Sequence, residues 1–152
     1  MPVFGLEDVA AIGEWAALEC EAQETNPLAV GYMIRAYCSN TAQKIAKVRK
    51  VYPSDLLNLG RMVLDMTIEF RHIPVTFRDG GTAIPAQNVK RTVASLCNAW
   101  NGGRLSVDEF YQEFEEIHPF IDGNGRTGNI VYNLLLNGYA AVSRPPEFQK
   151  KG

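Results

Sequence analysis

Cysteine, surplus basic charge and long apolar runs are all scarce in this chain, and each scarcity removes a class of protein. Cys20, Cys38 and Cys97 are odd in number and widely spaced, with no C-x-x-C pair. That pattern supports neither a disulfide framework nor a zinc knuckle, and predicts reduced thiols. Fifteen Lys and Arg stand against seventeen Asp and Glu, for a net charge of -2, which argues against a broad electrostatic footprint for nucleic acid. Any anion site must be local. No segment approaches membrane-spanning length, and Glu7, Asp8 and Glu14 stand where a secretory signal needs a basic start. The expectation is a cytoplasmic protein with no membrane or nucleic-acid partner, although injected effectors can lack such signals. Internal repeats and low-complexity tracts are missing too. The 152 residues, 46% hydrophobic and 21% charged, read as a single domain over 1–152 with its helical core at about 6–138.

What is present is mostly helical periodicity. From Leu6 to about Glu24, Val9, Ile12, Trp15 or Ala16, Leu18 and Ala22 recur at helical spacing, and Asn26-Pro27 reads as a cap followed by proline at a first helical position. Leu28–Ser39 and Thr41–Tyr52 form one bent helix or two, with Lys44, Lys47, Arg49 and Lys50 on a solvated basic face. Pro53 ends that segment, and Ser54 is placed to cap a helix whose stripe runs through Leu56, Leu59, Val63, Met66 or Thr67, and Phe70. Met62 and Met66 read as gap-filling core. The pattern changes after Arg71: Ile73–Phe77 is β-leaning, Asp79-Gly80-Gly81 is turn-like and Thr82–Ile84 is placed to pair back. A short β-hairpin near 73–84 is predicted, with Pro74 and Pro85 keeping it at an edge. Val89, Val93, Leu96 and Trp100 make a further helix that Gly102-Gly103 stops. Ser106 to Glu109 spells a capping box for the helix carrying Phe110, Phe114 and Ile117, and Pro119 prevents its continuation. A last helix from about Gly125 to Asn137 buries Ile130, Val131, Leu134 and Leu135, with Gly138 at its stop, and Pro145-Pro146 and Lys150-Lys151-Gly152 read as a tail. The fold class is therefore all-α, a helical bundle with one short hairpin.

Between the last two helices lies Ile117-His-Pro-Phe-Ile-Asp-Gly-Asn-Gly-Arg126. It places a base, a carboxylate, a glycine-flanked amide and an arginine in one loop at a helix start. Glycines let backbone N–H groups turn toward an anion, and the helix N-terminus favours negative charge. His118, titrating near pH ~6.5 in isolation, is largely neutral at pH 7 and can take a proton from a hydroxyl. Asp122 is the candidate Mg²⁺ ligand, since one carboxylate with phosphate oxygens and water is a usual magnesium set. Gly123, Asn124 and Gly125 would offer amides to phosphates, the Asn124 side chain a further donor, and Arg126 a bidentate partner. Phe120 reads as the anchor of the loop in the core. His72, the other histidine, matches no position in this pattern.

That run resembles the signature of the Fic family, His-Pro-Phe-x-Asp/Glu-Gly-Asn-Gly-Arg, matched without gap or substitution from His118 to Arg126. The resemblance is clearest from about Ile73 to Gly138. It implies a Fic-type bundle whose final helices flank the motif, and a hairpin flap on which a target protein docks by strand addition. It implies His118 as base, Asp122 as metal ligand, Gly123 to Gly125 as anion hole and Arg126 as phosphate partner. Many Fic proteins carry a second arginine three residues on, where this chain has Asn129, which hydrogen-bonds a phosphate but does not neutralise it. The family's inhibitory Ser/Thr-x-x-x-Glu-Gly/Asn helix is matched only in part, by Ser143 to Glu147 with prolines between, so a separate inhibitor or antitoxin protein would supply inhibition if there is any. The activity implied is protein adenylylation, in which AMP passes from ATP to a Ser, Thr or Tyr hydroxyl with Mg²⁺. Two alternatives stand beside it: phosphoryl transfer as in Doc-type relatives, which typically carry Lys where Gly125 stands, and a degenerate Fic-fold interaction module.

Overall fold

Local signals set most helix boundaries. The computed structural model describes residues 4–23, 27–77 and 79–148, and among these are seven α-helices and no strand: α1 (Leu6–Ala22), α2 (Leu28–Tyr37), α3 (Asn40–Val48), α4 (Pro53–Leu64), α5 (Val89–Asn101), α6 (Val107–Ile117) and α7 (Asn124–Asn137). The ambiguous stretch after Leu28 is two helices. Ser39 separates them because its hydroxyl accepts from the Ala42 amide, an N-cap that starts α3. The Ser106–Glu109 capping box is formed in both directions. Asn26 and Lys150 to Gly152 lie outside the described residues.

Several expectations are corrected. Pro53 opens α4 rather than merely closing what precedes it, and the cap is made by Asp55, whose carboxylate accepts from the Tyr52 amide; Ser54 is not used. α4 also stops at Leu64, where Asp65 turns left-handed at φ 53, so Phe70 is buried from a loop and not from the helix. Met66 is consequently exposed. In α1 the buried face is Ile12, Trp15, Ala16, Glu19 and Cys20, leaving Val9 and Leu18 exposed. This rotation puts Glu19 on the inner side. The basic run of α3 is largely tied down: Lys44 pairs with Asp55, Arg49 donates to the Leu135 and Leu136 carbonyls, and Lys50 to that of Asn101. In place of a paired hairpin, the 73–84 segment forms one antiparallel bridge, Thr76 with Thr82, flanked by the Phe77 N–H to Gly81 carbonyl and Ala83 N–H to Val75 carbonyl bonds. Pro74 and Pro85 carry no N–H with which a ladder could extend past it.

α7 is the hub. It packs against α1, α2, α3, α4 and α6, and every residue from Arg126 to Leu135 is buried. A helix enclosed on all sides must satisfy its polar side chains internally. Asn133 does so by clamping Ser143 with both halves of its amide, folding the C-terminal segment back across the bundle, whereas Thr127 Oγ1 and Asn129 Nδ2 are left without a hydrogen-bond partner among the described residues. No helix among the described residues is long and apolar enough to cross a membrane.

Candidate active site

The loop joining α6 to α7 is pinned at its centre by Phe120. Its ring is fully buried between Phe70, stacked at 5.7 Å, and Phe114, edge-on at 6.5 Å, an anchor worth about 2–3 kcal/mol of burial. Gly60 of α4 makes room for it, since a Cβ there would lie 3.0 Å from the ring. Asn124 then closes the loop on itself: its side-chain oxygen accepts from the Phe120 amide and its amide group donates to the Phe120 carbonyl. The Asn124 side chain is thus a staple, with one of its two amide hydrogens committed to the loop. Gly123, at φ 80, occupies the left-handed turn that starts α7. By helix geometry the amides of Asn124, Gly125 and Arg126 have no partner within α7, and they stand at the helix's positive end.

His118 ends α6 in a left-handed conformation, φ 50 and ψ 64. Its ring is half-buried beneath Phe77, with the centroids 5.2 Å apart and nearly perpendicular. Nδ1 lies 3.1 Å from the Glu115 carbonyl oxygen. A carbonyl only accepts, so Nδ1 carries the hydrogen and Nε2 is left with its lone pair. Burial, with a smaller contribution from the nearby Arg71 charge, pushes the imidazole below its ordinary pKa, against the opposing Glu115 carbonyl bond and the Asp122 charge. The ring is a neutral acceptor at pH 7.

His118, Asp122, Gly123, Asn124 and Gly125 all line one cavity of about 620 Å³. The carboxylate of Asp122 is 71% exposed there, with Oδ1 accepting from the Gly123 amide at 2.7 Å and from Arg126 Nη2 at 3.3 Å. Asp79 and Glu147 also line the cavity, but Asp122 is the carboxylate on the loop that starts α7, and an accessible carboxylate beside a helix N-terminus fits Mg²⁺ held jointly with phosphate oxygens. The structure does not bring the other two predicted residues to the cavity wall. Arg126 is buried, its guanidinium held between Asp122 and the Gln23 side chain. Asn129 is fully buried, its oxygen accepting from Trp15 Nε1 at 2.7 Å and from the Asn133 amide. It pins α1 to α7, because the helix face it shares with Arg126 is covered by α1.

Four residues that motif reasoning missed belong to the site. Gln23, from the end of α1, leans over Gly125 so closely that a Cβ there would meet its amide at 2.6 Å. Glu19, one turn earlier, also lines the cavity. Glu115 lines it from α6, buried and pushed up to about 8 by desolvation and then by Glu19. Arg71 is buried behind His118. For Glu19 and Glu115 the available signal was a charged residue on the buried face of an amphipathic helix.

The profile of the Fic/DOC family matches residues 50–136, more than half of the chain. Two solved structures share the fold. A Fic-domain-containing signaling protein from Bacteroides thetaiotaomicron VPI-5482 superposes with a TM-score of 0.58 at 21% identity, over 74% of this chain and 48% of that one. A Fic family protein from Desulfovibrio desulfuricans G20 superposes with a TM-score of 0.54 at 18% identity, over 92% of this chain and 60% of that one. This chain therefore spans about half to three-fifths of the length of these two structures. On the extent of the profile match, and with an all-α fold of the expected class, the chain belongs to the Fic/DOC family.

Proposed function

We propose that this domain transfers AMP from ATP to a hydroxyl side chain of a target protein. The observation that carries the reading is the shared cavity of His118, Asp122 and the α7 N-terminus, with the imidazole lone pair fixed on Nε2. In the proposed step His118 Nε2 takes the proton from the target hydroxyl as its oxygen attacks the α-phosphorus. The bond to the bridging oxygen breaks, pyrophosphate leaves, and the proton remains on the imidazolium until it passes to water. The α7 amides would hold the phosphates and Asp122 the magnesium, which supplies charge neutralisation at the phosphate when bound. The Thr76–Thr82 segment stands beside His118 and is the proposed docking edge for the target.

ATP labelled in the adenine, and separately in the γ-phosphate, tests this on candidate targets. Adenine label retained on the target supports adenylylation; γ-label retained instead would establish phosphoryl transfer and displace it. Asp122→Ala should abolish the magnesium dependence of nucleotide binding, measured by calorimetry with and without the metal. The burial of Arg126 and Asn129 favours a second reading, a Fic-fold interaction module without turnover. It predicts no measurable ATP affinity and no label of either kind on any target.

Gln23 supplies a further check. Its side chain occupies the approach to Gly125 and holds Arg126 at 3.3 Å. Exchanging that contact costs the incoming phosphate about one hydrogen bond, so Gln23→Ala should tighten Mg-ATP binding by roughly fivefold. Unchanged or weaker binding would mean that Gln23 is part of the phosphate site and not an obstacle to it.

A further inference from the structure

We propose that Arg71 is the positioning residue that locks the candidate base to the target-docking segment, so that one buried guanidinium sets both. The proposal rests on the transfer reading only where transfer is measured. α6 ends at His118, and Pro119 has no N–H to return to the helix, so the last carbonyls of α6 need donors from elsewhere. Arg71 supplies them. Its Nε donates to the His118 carbonyl at 2.6 Å and its Nη2 to that of Ile117 at 3.1 Å. The same guanidinium reaches both ends of the 73–84 segment, with Nη1 on the Ile73 carbonyl at 3.0 Å and Nη2 on that of Ile84 at 2.6 Å. The Arg71 amide completes the set by donating to the Pro119 carbonyl at 2.9 Å.

Three of the four side-chain acceptors, on Ile73, Ile84 and His118, belong to residues that precede a proline. A residue before proline is kept out of ordinary helix, and the proline after it cannot donate to the local network. Their carbonyls are therefore left for a tertiary donor. Arg71 is 2% exposed, a costly place for a charge, and its hydrogen bonds convert that cost into fixed geometry. Four acceptors around one planar fork suit guanidinium; an ammonium has three hydrogens on one atom and cannot span them. The His118 peptide and both feet of the docking segment consequently move together, and a target seated on the segment is held in register with Nε2.

Two variants test it. Arg71→Ala should lose about a hundredfold in transfer, seen in kcat and in the KM for the target, while Mg-ATP affinity stays within a few-fold. Millimolar guanidinium, well below denaturing levels, should restore transfer about tenfold, and methylammonium should not. Failure of guanidinium to restore a folded Arg71→Ala would overturn the proposal, as would a loss confined to Mg-ATP binding. Arg71→Lys keeps the charge and guards against an unfolded alanine variant. In hydrogen–deuterium exchange it should speed exchange of the Phe77 and Ala83 amides together with that of the backbone amide at position 71, while leaving the α2 and α5 cores protected. Speeding in the segment without the backbone bond to Pro119, or no speeding at all, would show the two parts to be independent. This exchange result needs no turnover, so a wild type that transfers nothing would sink the proposed function and leave the coupling separately decided.

Discussion

His118→Asn is expected to reduce transfer by about two to four orders of magnitude while leaving Mg-ATP affinity nearly unchanged. Asparagine is the better replacement, because residue 118 sits at φ 50 and asparagine tolerates the left-handed region that alanine enters at a cost of about 1 kcal/mol. Loss of the base should appear in kcat, since the proposed phosphate contacts come from α7 and Asp122 and not from the imidazole. Single-turnover transfer and calorimetry separate the two. Full activity in a folded His118→Asn protein would remove the base from the scheme. The same ring sets the acid limb of the pH profile. The working form is unprotonated, and burial holds its pKa below the usual ~6.5, so kcat/KM should be flat through neutral pH and fall with a one-proton slope only on the acid side of that value. An acid limb at or above pH ~7 would contradict a buried, neutral imidazole.

The motif was legible because its chemistry is contiguous. His118 to Arg126 are neighbours in sequence, and the helix signals around them are equally local: the Gly102-Gly103 stop, the Ser106 and Glu109 box, the Pro119 break and the Gly138 end. What the loop is packed against was not legible. Asn129 falls three residues after Arg126, and helical spacing correctly puts both on one face. Only tertiary structure reveals that Trp15 of α1 covers that face and takes the Asn129 oxygen. The part Asn124 plays in closing the loop was hidden for a similar reason, since only the fold shows its side chain reaching back to both polar groups of the Phe120 backbone. The overrun of α4 toward Phe70 has a backbone cause: the periodicity continues, but Asp65 leaves the helix for the left-handed region. Arg71, with four carbonyl partners drawn from the end of α6 and the two ends of the 73–84 segment, leaves no periodic trace. Its nearest sequence sign is the set of three dipeptides, Ile73-Pro74, Ile84-Pro85 and His118-Pro119, whose carbonyls it collects.

Glu115→Gln should stabilise the fold at alkaline pH by on the order of 5 kcal/mol and make little difference near pH ~4. Glu115 is buried, its Oε1 has no hydrogen-bond partner, and that oxygen is wedged against α7 where a Cβ on Gly128 would come within 2.8 Å. Desolvation, reinforced by the Glu19 charge, pushes its pKa up to about 8. In the unfolded chain an ordinary glutamate gives up its proton near pH ~4.3. The folded protein therefore holds a proton that the unfolded chain releases, so unfolding becomes easier as pH rises from ~4.3 to about 8 and changes no further above that. Glutamine, neutral throughout, removes this dependence and keeps the shape. Urea titrations of the two proteins across the pH range should give stabilities that coincide in acid and separate progressively toward pH 8. A difference independent of pH would mean that Glu115 ionises normally where it is. Glu19→Gln offers a second measure: deleting the neighbouring charge removes part of what raises Glu115, so the loss of stability should begin at the same pH, end at a lower one and be smaller in total, with its direction unchanged. The His118 ring is held by the Glu115 carbonyl, so the α6 turn that sets the candidate base is also the turn that carries this unpaired acid.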